Sequence, residues 1–257
     1  SRKKITTFAH RMTFSIITCT YNAASTLAYT LESVRRQTWD DVEHIIIDGV
    51  SSDETTDMIA RYQQEEQRHK VTVICEPDRG LYDAMNKGLS LATGDYLVFI
   101  NAGDGLHSDH TLADIAAQTG HRKCGVIYGD TAIINSEGNC VGLRRLRPPK
   151  ALSWKSFADG MLVCHQAFFA NTDIAKRTPY DLKYRLSADV DWCIRVMKEA
   201  EREHLPLHNT GEILCNYLEG GMSVQNHRAS LLERFNIMRR HYGLLTTIYK
   251  HITFLFR

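Results

Sequence analysis

The sequence lacks the signatures of several common chemistries. It contains neither G-x-G-x-x-G nor G-x-x-x-x-G-K-[ST], so the glycines of a dinucleotide fingerprint and of a P-loop are both missing. It has no G-x-S-x-G elbow to present a hydrolase serine. Its 7 cysteines, at 19, 75, 124, 140, 164, 193 and 215, form no C-x-x-C pair, which argues against a zinc site or a redox motif. Most of them sit in apolar runs, as buried thiols do in a reducing compartment. No apolar run is long enough to cross a bilayer, and no secretory signal is visible. The formal net charge is only +1, which argues against nucleic acid as the main partner. Internal repeats and low-complexity tracts are also absent.

What is present suits a folded α/β protein. The chain has 257 residues, of which 43% are hydrophobic, enough for a full core. Residues 1–11 are polar and basic without periodicity and read as an arm outside the fold. Short apolar runs at 14–18, 44–47, 71–75 and 96–100 read as buried strands. Helical patterns lie between them: Leu27, Leu31 and Val34 on one face, then Met58, Ile59 and Tyr62, then Leu81, Met85 and Leu89 over 80–92. Ser51 and Glu54 have the spacing of a capping box for the second helix. Continuous apolar strands alternating with helices predict a mostly parallel sheet covered on both faces.

The second half is less regular. Strands are expected at 126–130, 132–134 and 162–170, an exposed basic connection at 144–150, and a helix capped by Ser187 over 188–203.

Ligands of such sheets bind beyond the carboxyl ends of the strands. Thr20, Tyr21 and Asn22, then Asp48, then 76–80, then 101–104 all fall at such ends and converge on one crevice. The last of these, "FINAGDG" (99–105), reads either as a strand-ending turn or as a loop presenting the Asp104 carboxylate. The crevice is rich in carboxylates: Asp48, Asp53, Asp78, Asp83 and Asp104, and later Asp189 and Asp191. Carboxylates accept a phosphate neighbour when a hard divalent cation lies between them. Arg79 and Lys87 offer charge for the remaining phosphate, with plain solvated surface charge as the alternative.

Four segments, "SIITCTYNAASTLAYTLESVRRQ", "HIIIDGVSSDETTDMI", "EPDRGLYDAMNKGLSLATGDYLVFINAGD" and "LSADVDWCIRV", resemble in content and order a family-two glycosyltransferase of GT-A fold, over positions 12–196. The third is most similar to enzymes that build bacterial surface polysaccharides. The resemblance implies a Rossmann-like sheet with a nucleotide-binding half over 12–104 and an acceptor half over 105–226. It implies that Thr20, Tyr21 and Asn22 line the nucleotide pocket, that Asp48 reads the base, usually uracil, and that Asp53 closes the same loop. Asp78, Arg79 and Lys87 border the ribose and diphosphate. Asn101, Ala102, Gly103 and Asp104 take the place of the DXD-type motif, with Asp104 binding Mn2+ or Mg2+ on the donor diphosphate. Asp189 matches the general base. Two departures stand out. Gly49 and Val50 replace a second aspartate and a common glycine, and Val50 is expected to reshape its loop because valine avoids positive φ. Gly103 removes a carboxylate from the DXD position.

His165 and Gln166 follow an apolar run and read either as acceptor-pocket residues or as satisfied core groups. Asp191, two residues from Asp189, points to a different side of its helix and reads as a cap or an acceptor contact. "EGGMS" at 219–223 reads as a loop closing over the diphosphate or as an ordinary turn. In the tail, 227–257, Leu231, Phe235, Met238, Tyr242, Leu245, Tyr249, Ile252 and Phe256 form an apolar helical stripe among Arg228, Arg234, Arg239, Arg240, Lys250 and Arg257. This suits an anionic membrane surface first, with a helix packed on its own domain or on a second subunit as the alternative.

The expectation is therefore an inverting glycosyltransferase using a nucleotide-sugar, UDP-linked, and a divalent metal. It would act on a glycan or lipid-linked acceptor, in the cytoplasm or peripherally on the inner face of the cell membrane. The alternatives are a sugar nucleotidyltransferase, against which the missing triphosphate loop counts, and a non-catalytic nucleotide-sugar-binding protein at the membrane.

Overall fold

A computed structural model describes residues 11–66, 68–120, 122–220 and 226–254. The first half repeats strand and helix: β1 (Phe14–Thr20), α1 (Ala24–Arg35), β2 (Val42–Asp48), α2 (Thr55–Glu65), β3 (Lys70–Cys75), α3 (Leu81–Leu91) and β4 (Tyr96–Phe99). The second half adds β5 (Gly105–Leu106), α4 (Thr111–Thr119), β6 (Val126–Ile134), β7 (Cys140–Leu143), β8 (Phe168–Asn171), α5 (Thr172–Arg177), α6 (Ala188–Arg202), β9 (Leu207–Leu218), α7 (His227–Tyr242) and α8 (Leu244–Phe254). Among the described residues, nine strands form one sheet in the order β3-β2-β1-β4-β8-β6-β9-β5, with β7 paired to β6. The β3-β2-β1-β4 part is parallel; β8 and β5 run antiparallel to their neighbours, so the sheet is mixed.

The apolar runs of β1, β2 and β4 are continuous because both faces are covered. Ile17, Ile45, Ile47, Leu97 and Phe99 pack with Met85 of α3 and Trp192 of α6. Their neighbours Ile16, Val98 and Ile100 face the other way, onto Leu112 and Ile115 of α4. Leu27 and Leu31 of α1 close over Ile46 with Ile59 and Tyr62 of α2. The sheet thus delivers the carboxyl ends of β1, β2 and β4 to one edge.

Several local expectations are corrected. The Ser51–Glu54 capping box does not form: α2 starts at Thr55 with no side-chain cap, because Ser51 is bonded to Asp48. The runs at 126–130 and 132–134 are one strand, β6, whose register against β9 shifts around Asp130. The expected strand at 162–170 is a 3-10 turn, His165–Ala167, followed by β8. The turn takes His165 and Gln166 out of the sheet and into the crevice. The 144–150 connection has no buried residue, as expected of an exposed segment, and is also tied down: Arg147 pairs with Asp130, and an Arg144 Nη donates to the Met161 carbonyl at 2.6 Å. The tail keeps its helical stripe, interrupted at Gly243, whose φ is +81°, so that it forms two helices. Ile237 and Met238 of α7 are buried in the body, and Tyr242 stacks on Trp154 with ring centroids 5.8 Å apart. Residues 1–10 of the arm, residues 221–223 of "EGGMS", Phe256 and Arg257 lie outside the described residues.

Candidate active site

The site starts from two stitched loops. Asp48 ends β2, fully buried. Its carboxylate accepts the Ser51 N–H at 2.9 Å, the Ser51 hydroxyl at 2.6 Å and the Cys75 thiol at 3.3 Å. Asn22, in the loop after β1, donates its backbone N–H to the Ser51 hydroxyl, and its side-chain oxygen accepts the Ser52 N–H, each at 2.8 Å. Asp53 accepts the N–H of Thr55 at 3.0 Å and of Ala24 at 3.1 Å. Hydrogen bonding to Thr55 outweighs desolvation and holds its carboxyl below the ordinary range. This lacing forces Val50 to φ +64°, with its side chain 48% exposed. The expectation that valine avoids positive φ here is therefore corrected. The valine accepts the strained conformation because the bonds on both sides over-determine it.

Gly49 is small for a visible reason. A Cβ there would stand 2.7 Å from an Asp78 carboxylate oxygen and 3.3 Å from the Tyr21 ring. Asp78 and Tyr21 therefore close over the end of β2, with Tyr21 well exposed. The buried Thr20 hydroxyl has no partner among the described residues. Arg79 is paired with Asp83 at 3.0 Å, and Lys87 with Glu76 at 2.9 Å and the Pro77 carbonyl at 2.6 Å. Both cations thus stand beside the crevice but are engaged within their own segment.

The loop after β4 is bound to α1 by Thr30. Its hydroxyl donates to the Asp104 carbonyl at 2.6 Å and accepts the Gly103 N–H at 2.9 Å. Gly103 has φ +100°, and a Cβ on it would lie 2.8 Å from Leu218. Asp104 is 5% exposed. Its carboxylate accepts Gln166 Nε2 at 2.6 Å and the Leu218 N–H at 3.0 Å. Burial outweighs those bonds and pushes its carboxyl up to about 6.

The neighbouring residue completes the site. His165 stands 3.3 Å from the Asn101 amide through Nε2 and 3.4 Å from an Asp189 carboxylate oxygen through Nδ1. The other Asp189 oxygen accepts the Tyr82 hydroxyl at 3.2 Å. The Asn101 amide nitrogen is the atom turned toward His165 Nε2. That leaves Asn101 Oδ1, a buried oxygen without a partner among the described residues. Burial raises the Asp189 carboxyl, but the His165 contact and the charge of Arg234 prevail, so it falls below the ordinary range. Tyr82, Tyr180 and Trp192 stack in series beneath it, at 5.3 and 5.0 Å between ring centroids.

Asp191 goes elsewhere. Fully buried, it accepts from Arg195 Nε at 2.6 Å and from His241 Nε2 at 2.8 Å. It ties α6 to α7 rather than facing Asp189. Thr30 and Tyr82 belong to the site without having been read from the sequence. Thr30 left one signal, a hydroxyl one turn from Leu27 on the buried face of α1.

No cluster of three or more histidine, cysteine or carboxylate side chains stands ready for a metal among the described residues. The donor set is sparse but consistent with a divalent cation: Asp104 is an under-compensated buried carboxylate, and Asn101 Oδ1 is an orphaned oxygen in the same loop. Magnesium-type ions are commonly held by one or two carboxylates plus substrate phosphates.

The sequence profile of the family described as Glycosyl transferase family 2 matches residues 15–177. A PGL/p-HBAD biosynthesis glycosyltransferase of Mycobacterium bovis is 37% identical over 216 residues, covering 82% of this chain and 78% of the relative. The amylovoran biosynthesis glycosyltransferase AmsB of Erwinia amylovora is 28% identical over 200 residues, covering 73% of this chain and 64% of its own. In fold, the chain is similar to S. aureus TarS 1-349 in complex with UDP-GlcNAc (TM-score 0.69, 18% identity, 89% of this chain and 65% of that one). It is also similar to the mannosyltransferase PcManGT of Pyrobaculum calidifontis in complex with GDP-Man and Mn2+ (TM-score 0.66, 15% identity, 94% and 70%). The protein belongs to glycosyl transferase family 2 and is a glycosyltransferase of α/β, GT-A-like fold.

Proposed function

We propose that the protein moves a sugar from a nucleoside diphosphate sugar, UDP-linked, to an acceptor hydroxyl by a single inverting displacement. The acceptor class is a glycan or a lipid-linked saccharide of the bacterial surface, a class to be set beside the PGL/p-HBAD and amylovoran biosynthesis named for the mycobacterial and Erwinia relatives. One observation carries the reading. Two adjacent residues of one turn, His165 and Gln166, reach Asp189 and Asp104, so the base and the carboxylate at the DXD position share one scaffold.

The laced loops of Asn22 and Asp48 hold the nucleotide, with Tyr21 and Asp78 over it. Asp104 and Asn101 Oδ1 are the groups that would hold a divalent cation, which when bound neutralises charge on the leaving diphosphate. Asp189, kept ionised at neutral pH by His165, takes the proton from the attacking hydroxyl. His165 Nδ1–H and the Tyr82 hydroxyl fix the direction of that carboxylate. A single displacement at the anomeric carbon, which needs only one base, gives inversion. TarS in complex with UDP-GlcNAc and PcManGT in complex with GDP-Man and Mn2+ supply the donor classes to compare.

No helix of the described residues is long and apolar enough to cross a membrane. The exposed apolar face of α8, with Leu245 84% exposed beside Leu244, Ile248, Tyr249 and Ile252, is the surface proposed to meet an anionic membrane. Sedimentation with phosphatidylglycerol vesicles tests that contact, and a Leu245→Glu, Tyr249→Glu double variant should stay in the supernatant.

The test of the main reading is the melting temperature with UDP, GDP or CMP, with and without Mn2+. A Mn2+-dependent rise with UDP is expected, because a ligand of the folded state alone must stabilise it. Asp189→Asn should keep that rise and lose transfer; an Asp189→Asn variant with normal turnover would remove the assignment of the base.

A further inference from the structure

We propose that Glu233, on α7, is a positioning residue that holds Asp189 in its working place, so that the C-terminal helix is part of the catalytic apparatus. The proposal rests on the reading of Asp189 as the base.

Asp189 sits in the first turn of α6, so its position follows from where the backbone of that helix begins. α6 has no cap of its own: Ser187 occupies the N-cap position but makes no side-chain cap bond. Its hydroxyl turns toward α7 instead, 3.0 Å from the Ser230 hydroxyl, with both residues buried. The approach to the helix is held from α7. Glu233 accepts the N–H of Arg185 at 2.8 Å on one oxygen, and those of Leu186 and Ser187 at 2.8 and 2.9 Å on the other. Three consecutive amides converge on one side chain, which fixes the chain at 185–187 more firmly than a single cap bond would. One turn further along, Asp191 is gripped by His241, and Arg240 reaches Asp181 at 3.2 Å. α7 therefore holds the chain on both sides of Asp189.

The carboxyl group of the base is held by other partners. It meets His165 and Tyr82, both from the body of the fold. The labour is divided: α7 fixes the backbone and lends the charge of Arg234, and the body supplies the groups that orient the carboxyl group. Glu233 lies outside residues 15–177, where the family profile matches, and 46 residues beyond Ser187.

The experiment compares Glu233→Ala and Glu233→Gln, each in the wild-type and Asp189→Ala backgrounds. The readout is nucleotide release into water from whichever of UDP-GlcNAc, UDP-glucose and GDP-mannose the wild-type protein turns over fastest, together with amide hydrogen exchange over 182–194. Because displacing a base by about 1 Å costs on the order of 100-fold, Glu233→Ala should lower kcat by about 30- to 100-fold while leaving donor KM within about twofold. The Gln variant should fall between, with faster exchange at 185–187 and unchanged protection in β1, β2 and β4. Adding Glu233→Ala to Asp189→Ala should change nothing further, since there is no base left to misplace.

Wild-type kcat in Glu233→Ala beside an inactive Asp189→Ala would overturn the proposal and leave the base reading standing. Equal losses in both backgrounds, or unchanged exchange at 185–187 in the Gln variant, would also overturn it. Wild-type kcat in Asp189→Ala would instead overturn the base reading. Should the Ala variant fail to fold, Glu233→Gln, which keeps one acceptor oxygen, carries the same comparison.

Discussion

Gln166 donates its side-chain amide to the Asp104 carboxylate over 2.6 Å, and among the described residues no lysine or arginine pairs with that carboxylate. A buried anion held by two hydrogen bonds and no cation is poorly placed for stability and well placed to receive a positive ligand. The conflict yields a prediction for Asp104→Asn. The folded-state carboxyl is raised from 3.8 to about 6 by burial. Its favourable contribution is therefore present below about pH 4 and lost as pH rises through 6. At pH 7.5 the ionised group costs about 3 kcal/mol at most, since each tenfold change in proton affinity is worth about 1.36 kcal/mol. The asparagine side chain carries no charge, and its amide oxygen still accepts the Leu218 N–H. The variant should melt higher than wild type at pH 7.5, by several degrees, with the difference shrinking toward pH 4.5. It should also lose the Mn2+-dependent gain with UDP. Differential scanning fluorimetry across pH checks both, and a lower melting point at pH 7.5 would count against the argument.

Asp191 has the opposite sign. Burial raises its carboxyl, but the hydrogen bonds from His241 and Arg195 prevail and bring it down to about 2. Its contribution is present above about pH 4 and lost as pH falls through 2. By the same conversion, Asp191→Asn should cost about 2 kcal/mol at pH 7, because Arg195 and His241 are left facing a neutral group. Urea melts at pH 7 measure it. Since Asp191 does not face Asp189, nucleotide binding by the folded variant should match wild type; a binding loss beyond about threefold would place Asp191 in the site.

Val50 is held at φ +64° while its side chain is half-exposed. A β-branched residue there costs about 1–2 kcal/mol. Glycine relieves that strain but adds about 0.4–1 kcal/mol of unfolded-chain entropy. Val50→Gly should therefore raise stability by roughly 0.5–1 kcal/mol, with UDP affinity unchanged or improved. Chemical denaturation with a constant m-value is the check, and a destabilised variant would show that the valine side chain makes packing worth more than the strain.

The parallel half of the fold was legible in the sequence because a buried strand has no solvated face: FSIIT and HIII could be little else between amphipathic helices. The rule that ligands bind beyond the carboxyl ends of parallel strands puts Thr20, Asp48 and Asp104 on one edge from the sequence alone. The second half was opaque for physical reasons. β8 is a four-residue antiparallel strand, and the 3-10 turn at His165–Ala167 is short and flanked by apolar residues on both sides, so the whole stretch imitates one strand. The capping pattern misleads because Ser51 and Ser187 each have an alternative partner, Asp48 for one and α7 for the other. The Glu233 clamp is a contact across 46 residues, and periodicity carries no information at that range.

Gly103 supplies the last prediction, and it runs against the motif. The resemblance suggests that an aspartate at 103 would complete a DXD-type pair and strengthen metal binding. The backbone argues otherwise. At φ +100° an L residue is strained by about 1–3 kcal/mol. The added Cβ would also stand 2.8 Å from the Leu218 side chain, whose own N–H is a partner of Asp104. Gly103→Asp should therefore push Leu218 away, break the 3.0 Å bond to Asp104 and lower the melting temperature by about 5 °C or more, at about 2–4 °C per kcal/mol for a chain of this size. Mn2+-dependent UDP binding should weaken rather than strengthen. Gly103→Ala separates the two effects: it carries the steric and backbone penalty without the charge, and it should lose about as much stability as Gly103→Asp. Tighter Mn2+ binding in Gly103→Asp would mean that the loop is free to re-form around a second carboxylate, and that this glycine reflects a different metal arrangement rather than a packing limit.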